Sequence, residues 1–290
     1  MDEIRQAMAV CPMVIQEAIS KLPMSEANTI EEIRLRNGQP PTYLTKRELL
    51  LSNRRVNSSD LQEVIDRASA NSAYAVQDML RNGFLTIRGG HRIGICGKGV
   101  CKDEGVFTLR EISSVNIRIA RQIRGVADSA VNFLWTHPRS TLILAPPGRG
   151  KTTLLRDLIR QLSDRFMWRI CVADERMEIA SCINGTAQHC LGAHTDILSG
   201  IGKADAIEML LRAMNPQWIA LDEITAAKDI DSICTASYCG VKFLATAHAS
   251  CLRELYQRPL YQQLLATKVF DNVIVIDAQR HLQMGELRDD

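Results

Sequence analysis

Residues Ser140 to Leu155 read Ser-Thr-Leu-Ile-Leu-Ala-Pro-Pro-Gly-Arg-Gly-Lys-Thr-Thr-Leu-Leu, a stretch with very few local structures open to it. Thr141 to Leu144 is a short apolar run, partly β-branched, of the kind that forms a buried strand. Pro146 and Pro147 keep the next residues out of helix, and from Lys151 onward the pattern is strongly helical. The stretch therefore predicts a strand, a loop and a helix in that order.

The residue types in the loop fit phosphate. Gly148 and Gly150 let the backbone turn its N–H groups inward around an anion, and the helix that starts near Lys151 points its partial positive end to the same place. The Lys151 ammonium can reach terminal phosphates, and Thr152 carries a hydroxyl suited to a magnesium ion. The pattern is the P-loop, G-x-x-x-x-G-K-S/T, with Ala145 in the place of the first glycine. A methyl group there asks only for ordinary backbone angles. Pro146, Pro147, Gly148, Arg149, Gly150, Lys151, Thr152 and Thr153 are the expected nucleotide-binding set.

The rest of the chain narrows the class. Its 290 residues can bury a full core in one large or two modest domains. A formal net charge of +2 spread over mixed signs gives no electrostatic footprint for nucleic acid, so no nucleic-acid partner is expected. No apolar run approaches a membrane span, and residues 1–19 lack a basic flank and long apolar centre, so a cytoplasmic protein is expected. The nine cysteines include no C-x-x-C and are odd in number, which favours buried reduced thiols over a disulfide framework. His189, Cys190 and His194 have no fourth partner at a familiar zinc spacing.

Taken in order, residues 1–25 show helical periodicity interrupted by Pro12, predicting one or two short helices. Strands are expected over Thr29 to Leu35 and Pro41 to Leu44 around Asn37-Gly38, with Leu49 to Leu51 extending the sheet. Ser58-Ser59-Asp60 should cap a helix through Ala68, and a second helix is expected over 73–81, ending at Asn82-Gly83. Phe84 to Gly97 reads as a hairpin with Gly89-Gly90 at its tip, and Val106 to Leu109 and Val115 to Ile119 as further strands. These make residues 1–126 a small α+β domain. A helical connector, Ala127 to Trp135, leads into residues 127–290, where apolar runs at Arg169 to Ala173, Trp218 to Leu221, Val241 to Thr246 and Asn272 to Ile276 alternate with helices. That alternation predicts an α/β core around a parallel sheet.

Hydrolysis needs a carboxylate for the metal and a group to orient water. Trp218-Ile219-Ala220-Leu221-Asp222-Glu223 is a buried strand whose tip releases two acids into the ligand crevice, Asp222 for the metal shell and Glu223 for the water. A second acidic tip follows Ile170 to Ala173, with Asp174, Glu175 and Glu178; Asp174 is a further metal candidate. A third strand, ending Thr246-Ala247-His248, could set an imidazole near the γ-phosphate.

The order P-loop, acidic strand, Asp-Glu strand, Ala-Thr-Ala-His resembles the Walker A, Asp box, Walker B and His box of the type II/type IV secretion ATPases. Closer still, Thr86 to Gly94, Asn116 to Arg121, Pro146 to Asp157 and Val172 to Arg176 resemble the stage III AA family of sporulation proteins, over both domains. The resemblance implies a RecA-like P-loop core behind a smaller N-terminal α+β domain, with ATP and Mg2+ as cofactors. It further implies a homo-oligomeric, hexameric ring on the mother-cell side of the channel between mother cell and forespore, working with membrane channel proteins. Matched to the boxes, Glu178 falls on the Asp-box glutamate, Glu223 on the Walker B glutamate and His248 on the His-box histidine. Many secretion ATPases have glycine at the position of Asp222, so the division of metal and water duties among Asp222, Glu223 and Glu178 stays open. Arg92 and Arg212 occupy positions resembling arginines that approach a neighbouring subunit's nucleotide. A small-molecule kinase and a RecA-type nucleic-acid-dependent ATPase are the rival readings of the same P-loop.

Overall fold

A computed structural model of the chain describes residues 2–70, 72, 76–77, 80, 83–102 and 105–287. The chain divides into two compact units, Met1–Arg121 and Gln122–Asp290. The residues after this boundary are tied to the second unit. The Gln122 carboxamide donates to the carbonyl of Cys190 at 3.1 Å, and the N–H of Ala127 donates to the buried Asp157 carboxylate at 3.0 Å.

In the first unit, helices α1 (Asp2–Met8), α2 (Met13–Ser20) and α3 (Met24–Ala27) come first, with Pro12 and Pro23 at the N-caps of the second and third. Strands β1 (Glu32–Arg36), β2 (Thr42–Leu44) and β3 (Glu48–Leu50) form an antiparallel meander. Helix α4 (Ser58–Ala68) follows, started by a capping box in which Asn57 accepts from the N–H of Asp60 while the Asp60 carboxylate accepts from the N–H of Asn57. The cap is thus one residue earlier than the serine pair suggested. Most of the helix expected over 73–81 lies outside the described residues.

The hairpin is β4 (Phe84–Ile87) and β5 (His91–Lys102), turning at Gly89 and Gly90, both with positive φ. The two runs expected as separate strands are one, β6 (Gly105–Arg118), which crosses the irregularity near Glu111 without ending. The register slips between Cys96 and Lys98, where a side chain on Gly97 would come within 2.6 Å of the Arg110 carbonyl. A bulge absorbs what the sequence shows as an interruption. The sheet order is β3-β2-β1-β6-β5-β4, and alternate residues such as Ile33, Leu35, Ile93, Ile95, Val115 and Ile117 build the core beneath it.

The second unit opens with α5 (Asp128–Thr136), β7 (Thr141–Leu144) and α6 (Lys151–Phe166), then β8 (Ile170–Asp174), β9 (Thr195–Ser199) and α7 (Lys203–Ala213). It continues through β10 (Trp218–Glu223), α8 (Ala227–Tyr238), β11 (Lys242–Ala247), α9 (Leu252–Leu255), α10 (Pro259–Ala266), β12 (Asn272–Ile276) and β13 (Leu282–Glu286). Its sheet runs β13-β12-β7-β11-β10-β8-β9, parallel throughout except for β13. Period-two alternation splits each central strand between two cores. Leu142, Leu144, Ile219, Leu221 and Phe243 face one layer of helices, whereas Ile143, Ala145, Trp218, Ala220 and Leu244 face the layer containing α5 and α6. From β7 the chain crosses to β8 on one side, and from β11 it returns past β7 to β12 on the other. The P-loop therefore sits at the point where strand order reverses, the usual place for a ligand crevice in an open α/β sheet.

Candidate nucleotide site

The loop after β7 has the backbone that its glycines allow. Gly148 and Gly150 take φ of +73° and +94°, a region costly for side-chain-bearing residues, and Gly150 is the N-cap of α6. Pro147, Gly148 and Arg149 are exposed, while Ala145 is fully buried and tolerated at the first motif position. Thr152 and Thr153 lie half-buried in the first turn of α6.

Lys151 is buried, and its ammonium donates to the carbonyls of Ala145 at 3.0 Å and Pro146 at 3.4 Å and to Nδ1 of His248 at 2.5 Å. With Nδ1 accepting, the proton of His248 is on Nε2, which lies 2.9 Å from a Glu223 carboxylate oxygen. Burial pulls the lysine below its ordinary pKa, and the charges of Glu223 and Asp222 pull it part of the way back. Lysine, histidine and glutamate thus form one hydrogen-bonded chain from the P-loop across β11 to the tip of β10.

The two acids at that tip reach the same crevice because of a bulge. Alternation alone would send Asp222 and Glu223 to opposite faces of the sheet. The pairing of β10 with β11 shifts after Leu221, so that Leu221 stands opposite Ala245 but Glu223 opposite Thr246. Thr246 shares the face of Leu244, toward α6, and the shift brings Glu223 to that side. Asp222 is held there too, accepting a hydrogen bond from the Thr246 hydroxyl at 2.8 Å.

Asp174 is turned to a different task. Its carboxylate, only 1% exposed, accepts from the backbone N–H groups of Glu178, Ile179 and Ala180 at 2.9, 3.0 and 2.8 Å. Both oxygens are committed to the loop that carries Glu178, which itself is half-buried. Glu175 pairs with the buried Lys203 at the start of α7.

Arg156, one and a half turns into α6, is a site residue that motif spacing did not single out. Its guanidinium donates to the carbonyl of Ile179 at 2.9 Å and to that of Glu178. Burial lowers its pKa, and the nearby charges of Asp174, Asp222 and Glu178 oppose that shift. One cation therefore ties the P-loop helix to the loop after β8 and feels the charge of Asp222 at the tip of β10. Its sequence signal is slight: an arginine directly after Leu154 and Leu155, the first two apolar residues of the helix.

Arg92 and Arg212 are the two arginines expected to act on a neighbour's nucleotide. Arg92 places its guanidinium 3.7 Å from the centre of the Phe84 ring in the first unit. Arg212 pairs with Glu208 at 3.1 Å on the exposed face of α7.

A parallel sheet carrying a P-loop at its switch point, with acids on the next strand but one, defines a RecA-like P-loop core behind an α+β unit. The chain belongs to the sporulation stage III, protein AA family, whose model matches residues 2–288. It is 35% identical over 279 residues to stage III sporulation protein AA of Bacillus subtilis (strain 168), covering 94% of this chain and 90% of that protein. Among solved structures it is similar to the ATPase DotB of Legionella pneumophila, with a TM-score of 0.62 at 15% identity over 95% of this chain and 80% of DotB. It is also similar to the pilus retraction motor PilT with bound ADP, with a TM-score of 0.63 at 18% identity over 96% of this chain and 82% of PilT. At those identities the likeness speaks for the fold. Among the described residues, no helix is long and apolar enough to cross a membrane.

Proposed function

We infer that the chain hydrolyses ATP at the P-loop and uses the cycle to drive assembly or transport at the mother cell–forespore channel during endospore formation. The observation that carries the hydrolytic reading is the hydrogen-bonded chain Lys151–His248–Glu223 at the mouth of the loop. It ties the group that would bind the terminal phosphate to the carboxylate that would receive a proton from water.

The donor set fits magnesium, which is held by one or two protein oxygens while phosphates and waters complete its shell. Thr152 and Asp222 would hold it, and its chemistry there is charge neutralisation on the phosphate oxygens. Asp174 holds the Glu178 loop instead, with both oxygens occupied by backbone N–H groups. Lys151 leaves its carbonyl and imidazole partners for the phosphates, and His248 keeps Glu223 oriented as general base. Glu178 sits on the loop pinned by Arg156 and would help to polarise the water of the metal's shell. Loss of the γ-phosphate removes these contacts, which gives a conformational cycle its driving step.

The family supplies the sporulation setting, and the fold shared with DotB and PilT supports a homo-oligomeric ring, hexameric in this reading, that works on membrane channel proteins from the mother-cell cytoplasm. In such a ring Arg92 or Arg212 would meet the adjacent protomer's nucleotide. Phosphate release from Mg·ATP by the purified full chain, with no acceptor and no nucleic acid, tests the activity. Steady release supports an ATPase. Release that needs a phosphoryl acceptor would make the chain a kinase, and release that needs DNA or RNA would make it a nucleic-acid motor.

A further inference from the structure

The end of the second sheet remote from the P-loop gathers aromatic and cationic side chains. Because β7, β11, β10 and β8 are adjacent and parallel, the chain enters all four strands at that end, through the connections 137–140, 239–241, 214–217 and 167–169. All three tryptophans of the chain lie there, Trp135 in the last turn of α5, Trp168 just before β8 and Trp218 at the start of β10. Trp168 stacks on Trp218 with ring centres 5.0 Å apart and planes within 8°. Phe166 lies 5.5 Å from Trp168, and Trp135 stacks on Phe166 at 4.2 Å. Trp135, Met167 and Tyr238 are 56%, 68% and 89% exposed, so large side chains stand out from the tips of three of the four connections.

Charge is one-sided at the same place. Over 135–140, 165–169, 214–218 and 238–242 the sequence has Arg139, Arg165, Arg169 and Lys242 and no carboxylate, in a chain whose net charge is only +2. Arg165 has Asp128 at 4.0 Å. Between the four connections lies a cavity of about 400 Å3, with Pro138, Trp168, Pro216, Trp218, Gly240 and Lys242 in its walls. The Lys242 ammonium is 5.5 Å from the centre of the Trp218 ring, a cation set over an aromatic wall. Gln217, in the same wall, gives its side-chain oxygen to the N–H of Arg169 at 3.0 Å, which leaves its NH2 group as a donor. Apolar walls and hydrogen-bond donors thus share one recess.

We propose that this end of the sheet docks an acidic polypeptide segment of a partner protein, which sets one apolar or aromatic side chain into the cavity and its carboxylates against Arg139, Arg169 and Lys242. Tryptophan, tyrosine, methionine and arginine without acids is the composition of a protein interface, and guanidinium forks match carboxylates. Four strands span roughly 15 Å, the reach of about five extended residues, so a segment fits better than a whole domain. A bilayer presents a plane and would leave the recess above the buried Trp218 unfilled. A nucleic-acid strand needs open ring faces, and Trp168 and Trp218 cover one another's. A second copy offering the same face would bring like charges together. The face lies at the opposite end of the strands from the P-loop, so the proposal does not rest on the nucleotide reading.

Tryptophan emission of the full chain, excited apart from tyrosine, reports on this face because every tryptophan is there. Titration with a random copolymer of glutamate and tyrosine should shift the emission and saturate, and added salt should weaken it. Polyglutamate, which has no anchor, should bind about tenfold more weakly, and a copolymer of lysine and tyrosine should not bind. Arg139→Glu, at an exposed position, and Lys242→Gln should each weaken the glutamate–tyrosine copolymer several-fold, while Lys242→Arg retains it. No saturable shift with that copolymer, polyglutamate binding as tightly, or an affinity unchanged in both Arg139→Glu and Lys242→Gln overturns the proposal. A stronger response to phosphatidylglycerol vesicles or to single-stranded DNA than to the copolymer overturns it too, and would make the face a membrane or nucleic-acid surface.

Discussion

The Lys151 ammonium lies 2.5 Å from Nδ1 of His248, so two residues of the candidate nucleotide crevice are joined directly. They come from adjacent parallel strands, one at the loop leaving β7 and the other just past β11. The bond keeps a buried cation neutralised by Glu223 at the far end of the imidazole.

Burial lowers the pKa of Lys151, so at neutral pH the folded state holds a charge that the unfolded chain carries at less cost. That cost disappears as pH rises through the depressed folded pKa. Lys151→Met should therefore melt at or above the wild-type temperature near pH 7, with the difference shrinking in alkaline solution, while nucleotide binding is lost. Scanning calorimetry without ligand checks it; a melting temperature several degrees lower would mean that the lysine holds the loop together.

His91 supplies a separate pH dependence in the first unit. It is fully buried, its Nδ1 accepts from the N–H of Ala120 at 3.0 Å, and burial pushes its pKa down to about 4. The unfolded chain takes up the proton near pH 6.5 and the folded one does not. Stability is therefore complete above pH 6.5 and declines as pH falls toward 4, by an amount on the order of 1–3 kcal/mol. Urea titrations between pH 7 and pH 4 should show this decline, and His91→Gln should flatten it. An unchanged slope in the variant would place the acid sensitivity elsewhere.

Arg92 is proposed to act across a subunit boundary. Arg92→Ala should lower turnover on the order of 10³-fold while leaving ADP affinity close to wild type. Mixing it with Lys151→Met, inactive for a different reason, should restore activity, because some mixed interfaces pair an intact arginine with an intact P-loop. Phosphate release from the mixture checks the proposal, and no recovery at any ratio would remove Arg92 from the site.

Much of this architecture was readable from local chemistry. The central strands β7, β8, β10, β11 and β12 announced themselves because burial on both faces demands unbroken apolar runs. The edge strands β9 and β13 did not, since Thr195–Ser199 and Leu282–Glu286 face solvent along part of their length and carry mixed residues. Register was equally hidden. The bulge after Leu221 that brings Glu223 to the side of Asp222 depends on pairing with β11, and no feature of Trp218 to Glu223 alone encodes it. Asp174 shows the opposite limit: a carboxylate at a strand tip looks like a metal ligand until three backbone N–H groups are found on it.

Single-turnover hydrolysis of Mg·ATP by Glu223→Gln, beside Glu178→Gln, tests most directly whether the glutamate held by His248 activates the water. The account predicts that Glu223→Gln binds ATP as tightly as wild type but cleaves it on the order of 100-fold more slowly, with a smaller loss in Glu178→Gln. Cleavage at the wild-type rate by Glu223→Gln, with the large loss in Glu178→Gln instead, would contradict it.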